Sequence, residues 1–102
     1  MLFRSWGTVS TGTYTFLISS GTVQTMTLTG NITINTPYIS TGYSLTLILT
    51  QDGIGGRTLT PGSSLKWANG SKTLSTIASA TDIVSFFYDG TTYYASLTKG
   101  YA

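Results

Sequence analysis

Apolar and polar residues alternate along this chain with a period of two, and no segment carries a convincing helical period. Tyr14, Phe16 and Ile18 alternate with Thr13, Thr15 and Leu17. Met26, Leu28, Ile32 and Ile34 alternate with Thr25, Thr27, Thr29 and Thr33, and Tyr43, Leu45, Leu47 and Leu49 with Ser44, Thr46, Ile48 and Thr50. Successive side chains of a strand point to opposite faces, so each run predicts a half-buried strand whose second face is filled by β-branched threonine. Residues Ile83 to Tyr88 are apolar almost throughout, which predicts a central strand covered on both faces. Tyr93, Tyr94, Ala95 and Leu97 complete a last strand.

Turns are expected where the alternation breaks. Ser20-Gly21 separates the first two runs, and Gly30-Asn31 marks a bulge or tight turn. Asp52-Gly53-Ile54-Gly55-Gly56 reads as a loop, with Arg57 to Thr60 returning as a strand. Pro61-Gly62 and Asn69-Gly70 mark two more turns. Asp89-Gly90, set between two strong strands, is the clearest hairpin signal. About eight short strands predict an all-β fold, an antiparallel β-sandwich of jelly-roll-like type. Residues 1–12 read as an N-terminal arm and residues 13–102 as a single β-sandwich domain; 102 residues fit one core.

Composition narrows the chemistry. A third of the residues are Ser or Thr, and the chain has no Cys, His or Glu. The acids are Asp52, Asp82 and Asp89, and the cations are Arg4, Arg57, Lys66, Lys72 and Lys99. Without His there is no Ser-His-Asp triad, and Ser64–Lys66 or Ser71–Lys72 are simple neighbours in turn-rich segments. Asp52 and Asp89 each precede a Gly, the place of an acid that shapes a turn rather than one of a catalytic pair. The Asp52 loop lacks the Lys-Ser/Thr and helix of a phosphate loop and the carboxylates of a calcium site. The expectation is therefore a non-enzyme with no catalytic residues, no metal and no cofactor. Asn31-Ile-Thr33 and Asn69-Gly-Ser71 match the glycosylation pattern by chance in so Ser/Thr-rich a chain.

The net charge of +2 is scattered, so no nucleic-acid partner is expected. No apolar run exceeds four residues, so neither a signal peptide nor membrane insertion is expected. Charged residues make up only 8% against about 25% in ordinary soluble domains, which suits a surface covered by neighbouring subunits. Leu2, Phe3, Arg4 and Trp6 are candidate anchors of the arm on such a neighbour. Lys66, Trp67, Asn69 and Tyr93 are candidate surface or glycan contacts, because aromatic faces beside amides can stack on sugars.

One larger pattern joins these pieces: Leu28-Thr-Gly-Asn-Ile-Thr33, Leu47-Ile-Leu-Thr-Gln-Asp-Gly53, Gly56-Arg-Thr58 and Leu65-Lys-Trp67. It continues through Thr73-Leu-Ser-Thr76, Asp82-Ile-Val-Ser-Phe-Phe-Tyr-Asp-Gly90, Tyr93-Tyr94 and Gly100-Tyr-Ala102. In order and spacing, Thr25 to Ala102 resembles the C-terminal β-module of tail-fibre and appendage proteins of bacteriophages, particularly those of marine and cyanobacterial phages. Thr58-Leu-Thr-Pro61 departs from that pattern in lacking a Trp before the Pro. The resemblance implies a non-enzymatic phage virion structural protein, often a homotrimer, made in the host cytoplasm and carried on the particle surface beside other phage structural proteins of capsid or tail. Such modules usually follow a long shaft, whereas this chain begins at Met1 shortly before its first strand. That start favours a capsid decoration or cement protein, with a tail-fibre or appendage tip binding a host surface glycan as the alternative.

Overall fold

The structure is a computed structural model and describes residues 3–62 and 64–101. Nine strands form two sheets among the described residues. They are β1 (Phe3–Val9), β2 (Gly12–Tyr14), β3 (Val23–Leu28), β4 (Ile32–Ile34), β5 (Ser44–Gln51), β6 (Leu59–Thr60), β7 (Leu65–Trp67), β8 (Thr81–Tyr88) and β9 (Tyr93–Tyr101). The large sheet runs β1-β3-β5-β8-β9-β7 and the small one β2-β4-β6.

The all-β class is as expected, but the pairing is not uniformly antiparallel. The chain starts on the large sheet, crosses to the small one, and repeats this through β6. In consequence β1, β3 and β5 pair in parallel, as do β2, β4 and β6. Parallel neighbours need a crossover, and here the crossover is a strand of the opposite sheet instead of a helix. The first half is thus a flattened coil of three turns. Only β5–β8 and β8–β9 are antiparallel, and β7 closes the far edge parallel to β9. A period of two specifies faces and says nothing of partners, so this topology is invisible to the alternation.

Inward positions supply the core. Met26, Leu28, Leu45, Leu47, Leu49, Val84 and Phe86 come from the large sheet, and Ile32, Ile34 and Leu59 from the small one. Phe16 fills the bend between them and is fully buried. Outward positions stack threonines in register: Thr13, Thr33 and Thr60 on the small sheet, and Thr8, Thr27, Thr50 and Thr81 on the large one. Thr50 and Thr81 share a hydroxyl hydrogen bond of 3.1 Å. The Ser/Thr excess is thus largely the solvent side of the rungs, where β-branched side chains pack along the pleat.

Three elements differ from the sequence reading. Residues Phe3–Val9 of the expected arm form edge strand β1, paired with β3, and Gly12 opens β2, so the described part of the arm is built into the sheets. Strand β8 is central, between β5 and β9, but only one of its faces is covered: Phe86 is fully buried while Ser85 and Phe87 are exposed. Gly30 is neither bulge nor hairpin turn. It sits at the corner between β3 and β4, where a Cβ would come within 2.4 Å of the Thr11 hydroxyl and 2.6 Å of its amide nitrogen, so the corners of successive coils touch there. The Asp89-Gly90 hairpin is present, as a four-residue loop in which the Asp89 carboxylate accepts from the Thr91 and Thr92 N–H groups at 2.8 and 2.7 Å.

Adjacent positions on β8 should therefore respond in opposite ways. Phe86→Ala should lower unfolding free energy by about 3–5 kcal/mol through the cavity it leaves, and Phe87→Ala should stay within about 0.5 kcal/mol. Urea denaturation of the two variants checks this; equal losses would contradict the one-sided burial of β8.

Candidate functional site

Buried polar side chains fix the corners that surround the candidate residues. Gln24 donates from Nε2 to the Leu17 and Gly21 carbonyls at 2.9 and 3.0 Å, and its Oε1 accepts the Trp6 indole N–H at 2.9 Å. Gln51 repeats the device one strand further on: Nε2 donates to the Arg57 and Ser75 carbonyls, both at 2.9 Å, and Oε1 accepts the Arg57 N–H. Asp82 accepts the Ser75 N–H at 2.7 Å, the Ser75 hydroxyl at 2.8 Å and the Gly100 N–H at 3.0 Å. All three side chains are almost wholly buried, and each is satisfied by its neighbours as burial demands.

Asp52 organises the adjoining loop. Its Oδ1 accepts the Ile54 and Gly55 N–H groups at 3.2 and 3.0 Å, and its Oδ2 pairs with Arg57 Nη2 at 2.8 Å. The Arg57 guanidinium first, and then the Gly55 N–H, hold the carboxyl at about 2, below its ordinary 3.8. Gly55 has φ +78, and a Cβ there would stand 2.6 Å from the Thr76 carbonyl oxygen, so both conformation and space require glycine. This matches the expected turn-shaping acid.

The four anchor candidates divide. Leu2 lies outside the described residues. Phe3 is 61% exposed on β1. Trp6 is not free to anchor anything: besides bonding Gln24 it packs edge-on against Tyr14 and Phe16, with ring centroids at 5.7 and 5.6 Å. Arg4 lies 4.1 Å over the Trp6 ring and reaches the Ser20 hydroxyl at 3.4 Å, a cation–π cover on the core.

The contact candidates divide as well. Lys66 and Trp67 lie together on β7. They line a groove of about 300 Å³ that also includes Ser44, Ser85, Phe87, Tyr94 and Ser96. Its floor is one cross-strand row, Ser44–Phe87–Tyr94–Lys66, contributed by β5, β8, β9 and β7 in register. Asn69 sits just beyond, exposed in the Ala68–Gly70 turn with φ 54, a left-handed conformation that Asn tolerates. Tyr93 is elsewhere. It stacks on Tyr88 at 4.1 Å and lines a separate recess of about 310 Å³ with Leu17, Ile18 and Tyr38; burial, then Tyr88 and Tyr38, raise its hydroxyl pKa. Its neighbour Tyr94, 47% exposed, takes the place expected of it. Phe87, 41% exposed, belongs to the same groove although the apolar run around it suggested core.

Trp67 also lines a second cavity, of about 510 Å³, between edge strands β6 and β7. Its ring packs edge-on against Phe86 at 6.2 Å, and its Nε1–H is buried without an acceptor. Such a donor costs about 1–3 kcal/mol relative to a paired one, and among the described residues no other buried side-chain nitrogen or oxygen lacks a partner.

The family described as "Putative phage tail fibre C-terminal domain" matches residues 9–93, which take in β2 to β8, the whole lining of the larger cavity at Trp67, and the groove apart from Tyr94, Ala95 and Ser96 of β9. The chain belongs to that family. This tail-fibre domain is a phage structural protein with a virion-associated location. Capsid decoration, expected from the short stretch ahead of the first strand, gains no support from the match, and the tail-fibre alternative fits it better. Searches of curated proteins and of solved structures find no match to the tail-fibre domain.

The acid response of the Asp52 loop follows from its pairing. A folded-state pKa below the ordinary value contributes stability above pH about 4, lost as pH falls towards about 2. The melting-temperature difference between the wild type and Asp52→Asn should be constant above pH about 5 and shrink through this window; a difference undiminished at pH about 2 would show that the pair does not hold the loop.

Asp82→Ala leaves three donors without their acceptor and should cost about 3 kcal/mol or more by urea denaturation. A loss below about 1 kcal/mol would mean that water replaces it.

Proposed function

We propose that this tail-fibre domain is a non-catalytic adhesion module that meets a host surface glycan in the groove on the outer face of the large sheet. The observation that carries the reading is the row Ser44–Phe87–Tyr94–Lys66. It sets two exposed aromatic side chains side by side on paired strands, flanked by a hydroxyl at one end and an ammonium at the other. Exposed aromatics on a rigid sheet lose little conformational freedom when covered, and their faces suit the C–H faces of a sugar ring. Ser85 and Ser96 pair in the next row of the groove and offer hydroxyls to sugar hydroxyls.

Self-association as a homotrimer, and attachment to other phage structural proteins, belong to the same proposal. The sparse charge of the chain supports them, since charged residues are depleted from the cores of interfaces.

Labelled protein should bind cells of the host strain, and Phe87→Ala with Tyr94→Ala should weaken that binding by about tenfold or more at an unchanged melting temperature. Undiminished binding by the double variant would move the contact away from this groove. Light scattering of the purified chain checks the trimer.

A further inference from the structure

The second cavity at Trp67 has features the outer groove lacks. It lies between β6 and β7, each at the edge of its sheet. Arg57 and Lys72 both line it, two of the five cations of the chain, and none of the three acids does. Asp52 takes Nε and Nη2 of Arg57 at 3.3 and 2.8 Å, which fixes the guanidinium plane and leaves Nη1 for another partner. Trp67 adds its indole to the lining. Thr58, Thr60, Thr73 and Thr76 line it as well.

From this we infer that the cavity binds a carboxylate-bearing sugar residue, a uronic acid or similar sugar acid of the host surface. Lys72 and Arg57 Nη1 take the carboxylate, the Trp67 indole packs against the sugar ring, and the threonines meet its hydroxyls. A fixed guanidinium and an ammonium favour an anion of this kind over a neutral sugar, and the cavity is within the size range of small-molecule sites. The assignment rests on the reading of the domain as a glycan-binding fibre module, and it adds to the aromatic groove a second subsite, for an acidic sugar, with Trp67 lining both.

The test is calorimetric titration of the full chain with sodium glucuronate, with glucose and inorganic phosphate as controls. Saturable binding of glucuronate is expected, with glucose and phosphate at least about tenfold weaker. Lys72→Met, which keeps the side-chain stem and removes its charge, should weaken glucuronate by about fivefold or more while circular dichroism and melting are unchanged, and Trp67→Phe, which removes part of the ring from the wall, should weaken it as well. No binding of glucuronate, equal binding of glucose or phosphate, or variants that bind like the wild type would each overturn the assignment. Host-cell binding by the same proteins separates the two levels. If wild type and Lys72→Met bind cells equally, the acidic subsite falls and the adhesion reading stands. If the wild type does not bind cells at all, the adhesion reading itself falls.

Discussion

The coil depends on giving its corners hydrogen-bond partners. Each time the backbone leaves one sheet for the other, peptide groups turn away from the ladder and towards the interior, where an unpaired group is costly. Gln24, Gln51 and Asp82 stand at inward positions of β3, β5 and β8 and supply the missing donors and acceptors. Gln24 ties the first coil to the second through Trp6 and the Leu17–Gly21 turn. Gln51 and Asp82 converge on Ser75, whose N–H, hydroxyl and carbonyl are all held. With the corners fixed, the apolar side chains between the sheets need only fill space.

The sequence announced strands well and partners poorly. Alternation from Met26 to Leu49 identified the inward residues, because burial on one face is what alternation records; the exception is Tyr43, which precedes β5 and is exposed. Asp89-Gly90 announced its hairpin because turn chemistry is local. The parallel coil carries no such local signature. Register partners such as Gly12, Ile32 and Leu59 recur at uneven intervals, since the loops between them differ in length, so no repeat stands out. Gln24, Gln51 and Asp82 look like ordinary polar residues until the loops they hold are placed beside them.

The candidate site was legible in part for similar reasons. Lys66 and Trp67 stand out because an aromatic sits beside a cation and close to the Asn69 amide, and they do share a groove. Choosing between Tyr93 and Tyr94 required the β7–β9 register, which pairs Tyr94 with Lys66 and Tyr93 with buried Leu65. Phe87 was hidden by its neighbours, since an unbroken apolar run erases the alternation that reveals which face is wet. Trp6 misled in the opposite direction: an aromatic near a chain end suggests a free anchor, and only its Gln24 partner, distant in sequence, shows that it belongs to the core.

The fixing of Ser75 reaches beyond the fold. Leu74 and Thr76, on either side of it, line the cavity between β6 and β7, so that rim is tied down by four hydrogen bonds: Gln51 Nε2 donates to the Ser75 carbonyl, the Ser75 N–H and hydroxyl donate to Asp82, and the Gly56 N–H donates to the Thr76 carbonyl. A molecule entering the cavity meets walls already in place and loses little to their ordering. Recognition there is a matter of fit to a standing shape, and strain applied to the domain from outside would reach the cavity only after those bonds had given way.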